Sequence, residues 1–250
     1  MSREIPDAYP QDANATVVVA GVADAGRAAR ALIYLKAHNW SNLGSLLVPT
    51  PNASISPFYA PLSSGFEVEA RLKSAAPSSA IDALRLVRTF WGYMLSQDPG
   101  STWWEHILPD GTPSLGQFSS LAHGWGAGPT ISLTTQVLGI SPLRAGFAQY
   151  AIIPHPGDLK WAQGKVPTPY GEIRANWVNN GQGFTLETQA PPDTEGTSGV
   201  PTFGQPTTVY LDGRRIWNGS ASSRGVSFDG VNVIVSGVQP GRHVLLARRN

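Results

Sequence analysis

Cysteine is absent from the 250 residues, which excludes disulfides, thiolate metal sites and thiol nucleophiles in one step. Charge is scarce as well: Asp, Glu, Lys and Arg make 14% of the chain against 41% apolar residues, a balance that favours a buried core over disorder. The charges nearly cancel, 18 basic against 17 acidic, and the basic residues are scattered rather than gathered into a stripe. Nucleic acid is therefore not an expected partner. No apolar run reaches the roughly 18 residues that would span a membrane, so no membrane partner is expected either. The opening MSREIPDAYPQD has no apolar core of the kind an export signal needs. Four N-x-S/T sequons, at Asn14, Asn39, Asn52 and Asn218, would suit a secreted glycoprotein but also arise by chance in a chain rich in Ser, Thr and Asn. The compartment stays open.

What is present changes texture midway. From Gln11 to about Gly139, apolar residues recur at helical spacing between Gly/Pro/Ser/Asn clusters, which reads as helical hairpins. The stretch DAGRAARALIYLKAHNW puts Ala28, Ala31, Leu32 and Leu35 on one face, with Asp24 near the start and Lys36 and His38 near the end, as the helix dipole favours. In SSAIDALRLVRTFWGYMLSQ, a regular helix would align Leu84, Val87, Trp91, Met94 and Leu95, with Ser78 or Ser79 as N-cap and Asp98-Pro99-Gly100 as the stop. Weaker helical patterns cover ANATVVVAGV, residues 58–74 and residues 129–138. The first is rich in β-branched residues that would also suit a strand, and is read as helix because its neighbours are.

After Pro142, short alternating runs such as YAIIP, GEIRANWV, GFTLETQ, TTVYLDG, VNVIVSG and HVLLARR predict antiparallel strands. Asn179-Asn180-Gly181 between two of them is a hairpin signal. PPDTEGTSGVPTFGQP, poor in apolar residues and full of breakers, reads as a long loop. The expected organisation is an α+β chain of two domains, helical over 1–141 and β over 142–250.

The unusual residues concentrate in STWWEHILPDGTPSLGQFSSLAHGWGAGPT, which holds Trp103, Trp104, Glu105, His106, Asp110, His123 and Trp125. A sugar ring presents apolar C–H faces that stack on indoles, and its hydroxyls need polar partners. Cleaving a glycosidic bond needs carboxyl groups. All of these parts occur here, although in an arbitrary loop paired tryptophans serve more often as core anchors.

The order and spacing of WWEHILPDG, SLAHGWGAGPTISLTTQVLGISPL and IIPHPGDLKWAQGKVPTPYGEIRANW resemble the C-terminal stretch of the bacterial and fungal alpha-L-rhamnosidases. YPQDANATVVVAGV and SPFYAPLSSGFEVEARLKSA resemble the last hairpins of the same family's six-hairpin toroid, so the likeness runs over nearly the whole chain. The resemblance implies part of an (α/α)6 toroid followed by an antiparallel β-sandwich, no cofactor and no metal. The implied partner is a rhamnose-containing glycoside or polysaccharide.

On the family's TxWE pattern, kept here by Thr102, Trp104 and Glu105, the resemblance implies that Glu105 is the general base. His123 in SLAHGW corresponds to a substrate-binding histidine, and Trp103, Trp104 and Trp125 become candidate pocket walls. His106 and Asp110 read as an exposed loop histidine and a turn residue, and His155 as structural. The family's acidic segment, resembling DxxxRDERxGW, supplies the general acid, and nothing like it occurs in this sequence. Roughly five helices stand where a toroid of six hairpins needs about twelve, so a fragment or a half that depends on a missing N-terminal partner is expected. The competing readings are a non-catalytic carbohydrate-binding protein and an inactive remnant.

Overall fold

The computed structural model describes residues 9–49, 56–76, 78–97, 102–221 and 224–250. The sequon at Asn52 and the Asp98-Pro99-Gly100 stop lie outside them. The chain divides into two compact units, Met1–Ser132 and Leu133–Asn250.

The first unit is helical: α1 (Gln11–Val19), α2 (Ala25–His38), α3 (Pro61–Lys73), α4 (Ser79–Leu86), α5 (Gly92–Ser96) and α6 (Gly128–Ser132). Asp24 caps α2, its carboxylate accepting the Arg27 N–H at 2.8 Å, an arrangement worth about 1 kcal/mol. Along α2, Ala28, Leu32 and Leu35 are buried as the spacing predicts, and they pack with Ala15, Val18 and Ala70. The β-branched run of α1 is helix after all, because Ala15 and Val18 bury against that cluster.

Between α4 and α5 lies a π-helical turn, Val87–Trp91. Its wider winding rotates the next turn of helix, so the buried set is Leu84, Leu86, Phe90, Trp91 and Met94, whereas Leu95 is 52% exposed. The face expected of a regular helix, with Val87 and Leu95 on it, is corrected by that turn. Ser78 does hold the N-cap position of α4, but its side chain makes no capping bond.

A buried polar cluster ties the helices together. Glu67 and Arg71, one turn apart on α3, pair at 2.6 Å with side chains 0% and 2% exposed. Gln11 and Trp40 donate to the same carboxylate at 2.7 and 2.8 Å, and Arg71 also donates to the Leu32 carbonyl at 2.9 Å. Asp82 faces Arg71 at 3.6 Å and accepts from Lys36 at 2.7 Å. Elsewhere on α3, Gly65 meets Gly128 of α6 main chain to main chain: a Cβ at Gly65 would stand 3.4 Å, and one at Gly128 3.0 Å, from the other's Cα.

The second unit is a β-sandwich built from β1 (Ile140–Pro142), β2 (Gln149–Ile152), β3 (Trp161–Thr168), β4 (Gly171–Asn179), β5 (Gly183–Ala190), β6 (Glu195–Pro201), β7 (Thr207–Leu211), β8 (Arg214–Trp217), β9 (Val226–Phe228), β10 (Asn232–Val238) and β11 (Gly241–Arg249). One sheet has the order β1-β2-β6-β10-β9 and the other β3-β4-β5-β11-β7-β8. Pairing is antiparallel except between β2 and β6. The expected hairpin across Asn179-Asn180-Gly181 joins β4 to β5. Alternation sends Ile173, Ala175, Trp177 and Leu186 inward, where the Trp177 and Phe184 rings stack at 5.4 Å. Trp177 donates its indole N–H to the Val137 carbonyl at 3.0 Å. The turn before β1, Leu133–Val137, is thereby bound to the sandwich although its sequence still reads as helix.

Part of the expected loop PPDTEGTSGVPTFGQP is a strand. β6 lies inside its sheet between β2 and β10. Its small residues are required there, because a Cβ on Gly196 would come 2.6 Å from the Tyr150 hydroxyl and one on Gly199 3.2 Å from Ile153. The apolar cover for this strand comes from its neighbours.

Of the sequons, Asn39 is fully buried and donates its amide to the Leu46 carbonyl at 2.9 Å, so it is closed to modification in the folded chain. Among the described residues no helix is long and apolar enough to cross a membrane.

Candidate functional site

Two stretches of the loop before α6 lie side by side. The His123 N–H donates to the Trp103 carbonyl at 2.7 Å, and the Glu105 N–H to the Ser120 carbonyl at 2.8 Å. The Thr102 hydroxyl bonds the Leu121 carbonyl in the same ladder. Beyond it, Ile107 is fully buried and exchanges both main-chain bonds with Tyr59, at 2.8 and 3.0 Å. The loop is thus pinned by main chain at both ends of the WWEHI segment. Trp91, on the π-helical turn, adds a bond from its indole N–H to the Gly126 carbonyl at 2.7 Å.

This backbone alternates its side chains. Trp104 is 5% exposed and packs beside Tyr93, with ring centroids 6.4 Å apart, while its main-chain N–H points at the Met94 sulfur at 3.3 Å. It therefore has little face to offer a ligand. Glu105 goes the other way and remains half-buried, with its Oε2 3.9 Å from His123 Nδ1 and 3.2 Å from the Ser120 N–H. The His123 ring lies 4.1 Å from the Trp125 ring at 39°. Trp103 is half-buried over Gly126, where a Cβ would come 2.4 Å from the Trp103 Cβ.

His106 joins this group, contrary to its reading as an exposed loop residue. Its ring sits 5.3 Å from Trp125 and meets Phe58 edge-on at 4.9 Å. Burial pushes its imidazole below the usual histidine range, with the Glu105 charge opposing that shift and His123 adding to it. No local pattern marked His106, because its partner Phe58 lies far away in the chain. Asp110 does what its Pro-Asp-Gly setting suggests, its Oδ1 accepting from the Thr112 N–H at 2.9 Å and hydroxyl at 2.7 Å in an exposed turn. His155 is held by Gln136 within the second unit.

The cluster therefore contains one carboxylate with an oxygen left for a further partner, two imidazoles, and the indoles of Trp103 and Trp125. It can accept a proton from a bound water and present both polar and apolar surface to a sugar. Among the described residues, no group of three or more His, Asp or Glu side chains is arranged to hold a metal ion.

Helical segments ending in such a loop, followed by a β-sandwich, give the chain its class of fold, α+β in two units. Residues 139–209 match the family described as bacterial alpha-L-rhamnosidase C-terminal domain. An alpha-L-rhamnosidase of Streptomyces avermitilis is 32% identical over 126 residues, which cover 46% of this chain and 12% of that protein. One of Formosa agariphila is 28% identical over 139 residues, 52% of this chain and 14% of the relative.

Among solved structures, the alpha-L-rhamnosidase of Dictyoglumus thermophilum superposes with a TM-score of 0.71 over 96% of this chain and 25% of its own, at 17% identity. The Streptomyces avermitilis enzyme, complexed with L-rhamnose, gives 0.66 over 94% and 21%, at 22% identity. The chain resembles the C-terminal portion of the alpha-L-rhamnosidases, from the last helical hairpins through the β-sandwich. It spans a quarter or less of the length of these relatives.

Proposed function

We propose that residues 102–125 form the water-activating side of an inverting alpha-L-rhamnosidase site, acting on a rhamnose-containing glycoside. Glu105 is the general base and His123 a hydroxyl-binding residue. Trp125 and Trp103 are apolar walls, and Trp104 supports them from behind. The observation that carries this reading is the 3.9 Å approach of Glu105 to His123 on a loop pinned by its own main chain.

One oxygen of Glu105 is held by the Ser120 N–H, so the other is left to orient and deprotonate a water. Inversion also needs a general acid roughly 6.5–9.5 Å from the base, across the scissile bond. Asp110 is committed to its own turn, so the acid comes from elsewhere in the assembled enzyme. The presence of a single available carboxylate in the cluster favours, as a second reading, sugar binding without cleavage.

One experiment separates the two. The chain is titrated with L-rhamnose by tryptophan fluorescence, then assayed on an aryl alpha-L-rhamnoside with and without the acid-bearing segment of a relative supplied in trans. The proposal expects binding weakened by His123→Ala. It also expects turnover only in the mixture, reduced about 10²- to 10⁴-fold by Glu105→Gln. Binding with no turnover in any mixture supports the second reading, and undiminished turnover by Glu105→Gln overturns the assignment of the base.

A further inference from the structure

We propose that the outer face of the six-stranded sheet is a second glycan-binding surface, which takes a short uronate-bearing oligosaccharide. It lies wholly within the second unit and does not depend on the loop that carries Glu105.

The register of the sheet places the residues. Lys165 on β3 is opposite Arg174 on β4, Arg174 is opposite Gln189 on β5, and Gln189 is opposite Arg242 on β11. With neighbouring strands about 4.8 Å apart, this row runs roughly 14 Å across the sheet. The next row on the same face pairs Gln163, Asn176 and Glu187. Together they line a groove of 520 Å³, a size within the range of about 300–1,000 Å³ usual for small-ligand sites. Two residues along β3 from Gln163, on the same side of the strand, Trp161 stands 65% exposed. A large indole left open at the end of a polar groove is the platform a sugar ring stacks on.

The charge of the groove selects the ligand. Lys165 and Arg174 share the single carboxylate of Glu172, and Arg242 pairs with Glu187 at 3.2 Å. Three cations against two carboxylates leave positive charge and free donors over a row of exposed side chains. Gln163, Asn176 and Gln189 each offer a donor and an acceptor side by side, which suits neighbouring ring hydroxyls. Three cations in a chain of net charge +1 fall far short of the phosphate neutralisation that drives nucleic-acid binding. A protein interface would instead need an apolar centre, and here the centre is amide and charge. A carboxylate-bearing sugar chain answers each feature: carboxylates for the arginines and lysine, hydroxyls for the amides, a ring face for Trp161.

The test is calorimetric titration of the full chain with a trimer of α-1,4-linked galacturonate, with maltotriose as the uncharged control. The expected result is saturable binding of the galacturonate trimer alone, weakened at least about tenfold in Lys165→Gln/Arg174→Gln. Trp161→Ala weakens it as well, and Glu105→Gln leaves it unchanged. All three groove side chains are exposed, and unchanged circular dichroism and melting confirm that the variants fold. Absence of saturable binding, equal binding of maltotriose, or binding untouched by the groove substitutions overturns the proposal. Binding abolished by Glu105→Gln would assign the sugar to the other loop and overturn it too.

Discussion

The His123 N–H donates to the carbonyl oxygen of Trp103 at 2.7 Å, so the residue two positions before Glu105 holds the backbone of the histidine that faces it. That bond brings a carboxylate and an imidazole distant in sequence to 3.9 Å without using either side chain. The pair is therefore set by main chain and by whatever keeps Trp103 in place.

Its place exists because a glycine leaves room for it. A methyl group at Gly126 would stand 2.4 Å from the Trp103 Cβ. Gly126→Ala is expected to cost about 1–3 kcal/mol as an overpacked contact and to disturb the Glu105–His123 approach. Urea unfolding measures the first effect. The second appears as weaker rhamnose quenching of tryptophan fluorescence, and a variant as stable as wild type would mean that Trp103 moves freely.

The buried pair on α3 makes a separate prediction. Arg71→Leu leaves the fully buried Glu67 with Gln11 and Trp40 as its remaining donors among the described residues. Removing one member of such a pair typically costs about 3–5 kcal/mol. The double variant Glu67→Gln/Arg71→Met should recover much of that loss, because no charge is stranded. Denaturant midpoints of the three proteins check it, and a double variant less stable than Arg71→Leu would contradict the electrostatic account.

His155 gives the second unit a dependence on pH. Burial pushes its imidazole below the ordinary value of 6.5, with the Gln136 carbonyl and Asp229 partly opposing the shift. The unfolded chain therefore takes up this proton first as pH falls. Stability is at its full value above about 6.5 and declines as pH drops from there through the lower folded value. His155→Gln, which keeps a side-chain donor but cannot titrate, should flatten that decline in unfolding midpoints measured between about pH 8 and about pH 5.5.

How far residues alone reveal this molecule depends on where each element draws its burial. α2 carries its own apolar face and its own cap, so its sequence is sufficient. The α4–α5 segment misleads because periodicity assumes regular winding, and the π-helical turn exchanges Leu95 for Phe90 on the buried side. β6 is illegible for the opposite reason: it brings almost no apolar surface, and Tyr150 and Ile153 supply what it lacks. The density of aromatic and ionisable residues singled out the loop that carries the proposed site. Alternation along that loop turned Trp104 inward, and a distant phenylalanine brought His106 in. Neither is written in the local pattern.

The contact between Gly65 and Gly128 has a consequence for change over time. With no side chain on either partner, the base of the loop is seated by main-chain shape, and the ladder through Trp103 and Ser120 continues in the same terms. The outward side chains of the loop touch that scaffold at few points, Glu105 through the Ser120 N–H and His106 through the Phe58 ring. Under the proposed function, substitutions at Glu105, His106 or Trp125 would remodel which sugar is held, or whether one is held at all, while the main-chain ladder beneath keeps its form. Ligand preference in this architecture is free to drift faster than the fold that displays it.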